Sequence, residues 1–524
     1  MIMCNIHDVF SKITSVASKI TPWEIKVAFV STFISWYIVK KILYYKSLPP
    51  VNFAGPWGIP YLGYLPFMSS APHSWYLKLS AQYGDLFSLK LGNNLVVGIG
   101  SVKLLKELFC RQDSTGRPHT PLNNLLGGVG IILSEGPLWK KQRQFLHEKF
   151  RNLGVKLYPN QRFEKFIFLE IKELLENLEN TNGNAVDPVL VIGRHMHNII
   201  CQLMMSFRFD ENNPDFQMFG ERVTRGMKLY GSIHFGEYVK YYMKLPGKQA
   251  VLEEIKGNLK EVSKFHADHV KDRKQLRKKN GCYEPADLLD HYLEIIEQEN
   301  KQDDNDPSTI FPNKTDTDSQ IVQVMNDLFS AGMETTRTAL LWCMIMMLRE
   351  KEVAQKVREE LSKVVEVNQM VTLEHRPALA YIEGVIYETL RVVSVVPLGT
   401  THVNTSPWKI NGCFIPAGTH IIPLINKMNV DPEIYPEPHK FKPERYIKNG
   451  QFRASENFMT FGVGQRMCLG TQLARMELFL FFSNLMNSFE FYLPKGKPVP
   501  GLEGVLGSTH APLPFELCFK KLEI

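Results

Sequence analysis

With 524 residues, 44% of them apolar, the chain has enough to bury a large core, and it carries no repeats or low-complexity tracts. A net charge of +7, from 61 basic and 54 acidic residues that are interspersed, counts against nucleic-acid binding. The eight cysteines (Cys4, Cys110, Cys201, Cys282, Cys343, Cys413, Cys468, Cys518) are widely spaced without a CxxC pair, which argues against a zinc module or disulfide scaffold and fits a reducing compartment. Length alone suggests two or more domains, but no shift in composition marks a boundary, so one large domain behind an N-terminal tail is expected.

Ile25 to Val39 is apolar apart from Lys26 and a few small polar residues, includes Trp36 and Tyr37, and stops at Lys40-Lys41. Its uninterrupted core, Val27 to Val39, makes about 20 Å of helix against a hydrocarbon layer of roughly 30 Å. Extension through Tyr45 with snorkelling lysines brings it to a span. No small-residue cleavage site follows, so residues 1–47 read as a retained membrane anchor and not a signal peptide. Lys12, Lys19 and Lys26 before the run match Lys40, Lys41 and Lys46 after it, so charge does not set its orientation.

Residues 48–60, from Leu48-Pro49-Pro50 to Pro56-Trp57-Gly58-Ile59-Pro60, hold too much proline for a helix or central strand and form a stiff hinge ahead of residues 61–524. Leu86–Leu91 and Leu95–Ile99 alternate around Gly92-Asn93-Asn94, which predicts a small hairpin. From about Ser101 to Leu293 helical spacing dominates, with loops near Ser114–Gly130 and Asp210–Pro214, so the chain is expected to be mainly α with small β-sheets. Within the basic segment Leu138–Asn152, Trp139 and Arg143 share a helix face, a pattern that an ordinary solvated helix would also give. Gln298–Asp318, charged and broken by proline, reads as a loop between helices.

Ser319–Leu348 is apolar nearly all round and marks a helix buried through the core. Its middle, Ala331-Gly332-Met333-Glu334-Thr335-Thr336, sets a small pair, an acid and two hydroxyls where apolar residues belong. Gly costs roughly 1 kcal/mol of helix stability relative to Ala, and a Thr hydroxyl bonding back to a carbonyl tends to open the turn. An opened turn makes a groove for a diatomic ligand and water, although a kinked core helix with satisfied polar groups fits the same residues. Glu388 and Arg391 lie one turn apart on the helix Tyr381–Val392, a spacing that chance supplies roughly once or twice in a chain this long. Val395–His402 forms a strand-like turn.

The stretch Phe461-Gly462-Val463-Gly464-Gln465-Arg466-Met467-Cys468-Leu469-Gly470 leads into the apolar helix Thr471–Phe489. Its glycines allow left-handed or tight backbone around the sulfur, and a helix N-terminus beside Cys468 favours thiolate over thiol. Such a thiolate suits a nucleophile, a redox switch or a metal ligand. The five fixed residues Phe461, Gly464, Arg466, Cys468 and Gly470 fit F-x-x-G-x-R-x-C-x-G, which average residue frequencies produce on the order of once in ten thousand chains.

That pattern is the haem-binding signature, and from Leu48 to the C-terminus the chain resembles the cytochromes P450, with further motifs in the family order. The resemblance implies haem b as cofactor, Cys468 as axial iron ligand, and Arg466, Trp139, Arg143 and His402 as contacts to the haem propionates. It makes A-G-x-E-T-T the oxygen-activating motif, with Thr335 holding oxygen and water and Glu334 relaying protons for O–O cleavage. Pro443-Glu444-Arg445-Tyr446 stands where the family has P-E-R-F, here with Tyr last, so Glu388, Arg391 and Arg445 are implied to form a structural triad. Val505–His510 stands where a last turn of the pocket is expected.

By the same resemblance the chain is a microsomal monooxygenase. It would be anchored in the endoplasmic reticulum and face the cytosol, taking electrons from NADPH–cytochrome P450 reductase with cytochrome b5 as a second donor. Its lysine-rich surface near Leu138–Asn152 would receive the acidic reductase. Leu62-Gly63-Tyr64, Met227-Lys228-Leu229-Tyr230-Gly231, Pro397-Leu398-Gly399-Thr400-Thr401-His402 and Leu473-Ala474-Arg475-Met476-Glu477-Leu478-Phe479-Leu480-Phe481-Phe482 are similar to the insect ecdysteroid 26-hydroxylases. This implies hydroxylation of a steroid side chain and inactivation of the hormone. Oxidation of xenobiotics or fatty acids, or haem and steroid binding without turnover, are the competing functions.

Overall fold

The computed structural model describes residues 21–47, 53–69, 71–120, 123–126, 128–210, 213–239, 241–281, 283–299, 310–311 and 316–523. Cys4, Cys282, the hinge up to Asn52 and most of the expected loop 298–318 lie outside the described residues. The chain divides into two units, Phe53–Pro407 with Pro416–Ile524, and residues 1–52 with Trp408–Ile415.

In the larger unit the helix Thr317–Arg349 is the axis of packing, and every side chain from Ala339 to Leu348 is buried. It packs against the helices Pro188–Met205, Lys248–Asn280, Ala380–Val393 and Thr471–Ser488. A Cβ on Gly332 would come within 2.5 Å of Ile200 Cδ1, so this mid-helix glycine is what lets Pro188–Met205 approach so closely. The Thr335 hydroxyl donates back to the Ala331 carbonyl at 2.7 Å, as expected. The helix nevertheless runs unbroken through this turn, and the room beside it comes from the small side chains of Ala331 and Gly332.

The expected hairpin forms as Leu86–Leu91 and Asn94–Ile99, paired antiparallel. It is half of a larger sheet. Asn94–Ile99 pairs in parallel with His420–Pro423, which pairs in turn with His402–Val403 to complete four strands. Strands of two and four residues carry too few alternations for a period to register, so only the local pairing was predictable. Two-stranded ribbons, Phe489–Tyr492 with Cys518–Lys521 and Gly504–Leu506 with His510–Pro512, finish the unit.

The expected triad is present at the end of Ala380–Val393. The Glu388 carboxylate receives Arg391 through two bonds of 2.8 Å and Arg445 Nε at 3.1 Å. Arg391 also donates to the Asn429 carbonyl at 2.7 Å, and both Glu388 and Arg391 are 0% exposed.

In the smaller unit, Pro22–Ser47 is a 26-residue helix over the expected anchor, and Trp408–Ile410 pairs with Cys413–Ile415. Among the described residues no helix is long and apolar enough to cross a membrane. Ser31, Thr32 and Ser35 dilute the stretch between Lys26 and Lys40, which leaves it short of the apolar span expected from its uncharged core.

Candidate active site

Phe461–Gly470 folds as its glycines require. Gly462 and Gly464 have φ of +74° and +77°, and a Cβ on Gly464 would come within 1.9 Å of the Phe109 carbonyl oxygen. The Cys468 amide donates to the Phe461 carbonyl at 2.9 Å, which closes the loop. Gly470 keeps the space behind the sulfur open, since a Cβ there would lie 4.0 Å from Cys468 Sγ. Gly464→Ala is expected to cost about 1–3 kcal/mol from left-handed backbone alone, and more from the collision with Phe109. A drop of several degrees in Tm measures it.

A cavity of about 340 Å³ lies over this loop, lined by Phe461, Arg466, Cys468 and Gly470 on one side and by Ala331, Gly332, Thr335 and Thr336 on the other. Trp139, Arg143, Arg117 and His402 also line it. Cys468 is exposed only in the sense that its surface opens onto this cavity, with protein around it. Burial pushes the Cys468 thiol up, while the Gly470 amide, the Thr471 hydroxyl and the Arg143 cation pull it down. Desolvation is the largest influence on the free thiol, and the amide, hydroxyl and cation beside it are the groups that favour the thiolate.

At one edge three guanidinium groups converge. Arg466 donates to the carbonyls of Thr115, Ile131 and Ser134, and stacks over the Trp139 ring 4.0 Å from its centroid. Arg117 donates to the Ile132 and Thr401 carbonyls, and Arg143 to the Met467 carbonyl. Burial and the other two arginines hold Arg466 down to about 8, and burial with Arg143 holds Arg117 to about 10; Glu135 opposes both shifts. The His402 ring stacks on Phe109, and its Nδ1 lies 2.8 Å from the Ser114 carbonyl. Burial, followed by Arg117, keeps its pKa well below the usual imidazole value.

The structure thus brings Cys468, Arg466, Phe461, Gly470, Trp139, Arg143, His402 and Thr335 to one cavity, with Gly464 shaping the loop. Glu334 does not line it. Its carboxylate pairs with Arg337 one turn on and receives the Thr509 hydroxyl at 3.3 Å.

Sequence reasoning missed Arg117, which sits alone in an irregular loop, and Asp327, which holds that region in place. Asp327 accepts from the Ile131 and Ile132 amides at 2.7 and 2.9 Å, and it is pushed up to about 6 by burial. It fixes the loop whose carbonyls then receive Arg466 and Arg117. Buried Glu477, pushed up to about 8 by desolvation, also lines the cavity and was visible only as a helix residue.

Residues 54–519 match the cytochrome P450 family. The chain is a member of the cytochrome P450 family. It is 41% identical to "Cytochrome P450 18a1" of Drosophila melanogaster over 94% of this chain and 90% of that protein. It is 32% identical to "Cytochrome P450 2U1" of Bos taurus, over 84% of this chain and 80% of that protein. The same identity to "Cytochrome P450 2J2" of Homo sapiens covers 90% of this chain and 91% of that protein.

Members of this family are oxidoreductases that bind haem b through a cysteine thiolate. The residues of this P450 fit that group. The cavity is lined by Gly462, Gly470 and the Cys468 thiol, with no bulky side chain at the two glycines to exclude a planar ring. The arginine cluster, whose mutual repulsion Glu135 only partly opposes, calls for an anionic partner such as the propionate edge.

Proposed function

We propose that this P450 is a microsomal haem-thiolate monooxygenase that hydroxylates the side chain of an ecdysteroid, and so inactivates the hormone. The observation that carries the monooxygenase reading is that Cys468 and Thr335 face each other's walls of one cavity, with the cationic edge of Arg117, Arg143 and Arg466 to one side. The steroid reading is supported by the sequence stretches similar to insect ecdysteroid 26-hydroxylases and by the 41% identity to a Drosophila P450 over most of both chains.

In this reading the Cys468 thiolate would hold the haem iron, and Arg466, Arg143, Arg117, Trp139 and His402 would hold the haem carboxylates. Bound haem b supplies the chemistry that splits O2 and places one oxygen atom in a substrate C–H bond, with electrons drawn from NADPH. Thr335 Oγ1 spends its proton on the Ala331 carbonyl and keeps lone pairs to accept from water in the cavity. Glu334 reaches that water only through the Thr509 hydroxyl, which borders the adjoining distal cavity. Protons would enter by way of Thr509 and be handed on at Thr335. Thr335→Ala is expected to lower product formation about 10²-fold with less product per NADPH consumed, a split that turnover and NADPH oxidation measured together reveal.

Residues 1–47 would anchor the protein in the endoplasmic reticulum membrane, with 48–60 as hinge and 61–524 as the cytosolic domain. The helix Pro22–Ser47 supports this, being about 39 Å long at 1.5 Å per residue. NADPH–cytochrome P450 reductase would dock near exposed Lys140 and Arg151, with cytochrome b5 sharing the basic face. The deciding experiment is turnover of reductase-reconstituted protein with a panel of steroids and fatty acids. An ecdysteroid hydroxylated at its terminal side chain is the expected product, and oxidised fatty acids alone would overturn the substrate.

A further inference from the structure

Behind Thr335 lies a second, distal cavity of about 540 Å³ that shares Ala331, Thr335 and Gly399 with the first. Much of its wall is apolar, including Val223, Ile255, Leu259, Val262, Phe329 and Val396. That size and lining suit a rigid lipophilic ligand. One part of the wall has a different chemistry. Tyr76 from the helix Pro72–Tyr83, Tyr230 near the end of the helix Pro214–Ser232, and Glu237 from a short helical turn all border the cavity there.

The partners of these groups are only partly supplied by the protein. The Tyr230 hydroxyl donates to Asn123 Oδ1 at 2.8 Å and touches Glu237 Oε1 only at 3.5 Å. The Tyr76 residue is 2% exposed, and its hydroxyl has no hydrogen-bond partner in the protein. A buried hydroxyl left unpaired is costly, and this one belongs to a side chain that borders the cavity near Glu237. Burial pushes the Glu237 carboxyl up to about 7, so it can accept from or donate to a neutral hydroxyl. Of the nearby cations, Arg222 is paired with Glu261 at 3.2 Å and Arg117 is taken up by carbonyls.

We propose that Tyr76, Tyr230 and Glu237 form a hydroxyl-recognition corner of the distal cavity, which binds the oxygenated end of a polyhydroxylated steroid and presents its other end to the reaction site. The proposal rests on the steroid monooxygenase reading and adds what selects the substrate. Neighbouring hydroxyls on a rigid ring give Glu237 a donor and Tyr76 an acceptor at once. A fatty-acid carboxylate would instead face a second carboxyl, and a bare hydrocarbon would leave the Tyr76 hydroxyl unpaired.

Equilibrium dialysis with ecdysone and with an analogue lacking its ring hydroxyls, on haem-loaded wild type, Tyr76→Phe and Glu237→Gln, tests this. Both variants are expected to bind ecdysone about 10-fold more weakly while holding the analogue within about twofold of wild type. Tyr76→Phe is also expected to keep or raise Tm, because it deletes an unpaired buried hydroxyl. Equal losses for both ligands, or no loss for either, overturn the recognition corner while leaving the steroid reading intact. If wild type binds neither steroid, both fall together.

Discussion

Replacing Cys468 with serine is expected to remove turnover altogether and to abolish the thiolate-type band of the reduced carbon-monoxide adduct. A serine hydroxyl fits the same loop, since Gly470 leaves the space around the β-substituent open and the Cys468 amide bond to Phe461 is backbone. The fold should therefore survive, with Tm within a few degrees of wild type, and the loss can be read as loss of a ligand. A C468S protein that kept the thiolate-type spectrum would end the assignment of this sulfur to iron.

Glu388→Ala should act on stability instead of chemistry, and on a larger scale. Its carboxylate is shared by the Arg391 and Arg445 guanidiniums, and Arg391 is fully buried. Deleting one partner of a buried pair costs about 3–5 kcal/mol, because a charge remains in a medium that does not solvate it. Against a whole-domain stability of about 5–15 kcal/mol, that removes between about a fifth and all of the margin. Soluble yield and thermal unfolding would record it, and a Tm shift of only a degree or two would show that the triad does not hold this side of the cavity.

The helices and the site were legible in the sequence to different degrees, for physical reasons. Helical spacing over Ser319–Leu348 placed a core helix observed at Thr317–Arg349, because burial on all sides leaves an apolar imprint in the chain. The glycines at 462 and 464 announced left-handed backbone because few other residues adopt it. The strand His420–Pro423 was not visible, since its parallel partner lies more than three hundred residues earlier and nothing local reports the pairing. Arg117 and Asp327 were missed for the same reason: a lone charged residue gains meaning only from what a distant loop brings beside it.

The arrangement of the cofactor cavity has a consequence for biosynthesis. Its walls are joined across the whole chain: Arg466 donates to the Thr115 carbonyl, 351 residues away, and Asn94–Ile99 waits for His420–Pro423 to extend its sheet. A chain emerging from the ribosome N-terminus first carries Arg117 and Trp139 long before the loop that opposes them exists. Contacts so distant in sequence form late. A porphyrin pocket can thus close only once nearly all of the polypeptide has been made, so chains truncated before Cys468 should accumulate without bound tetrapyrrole.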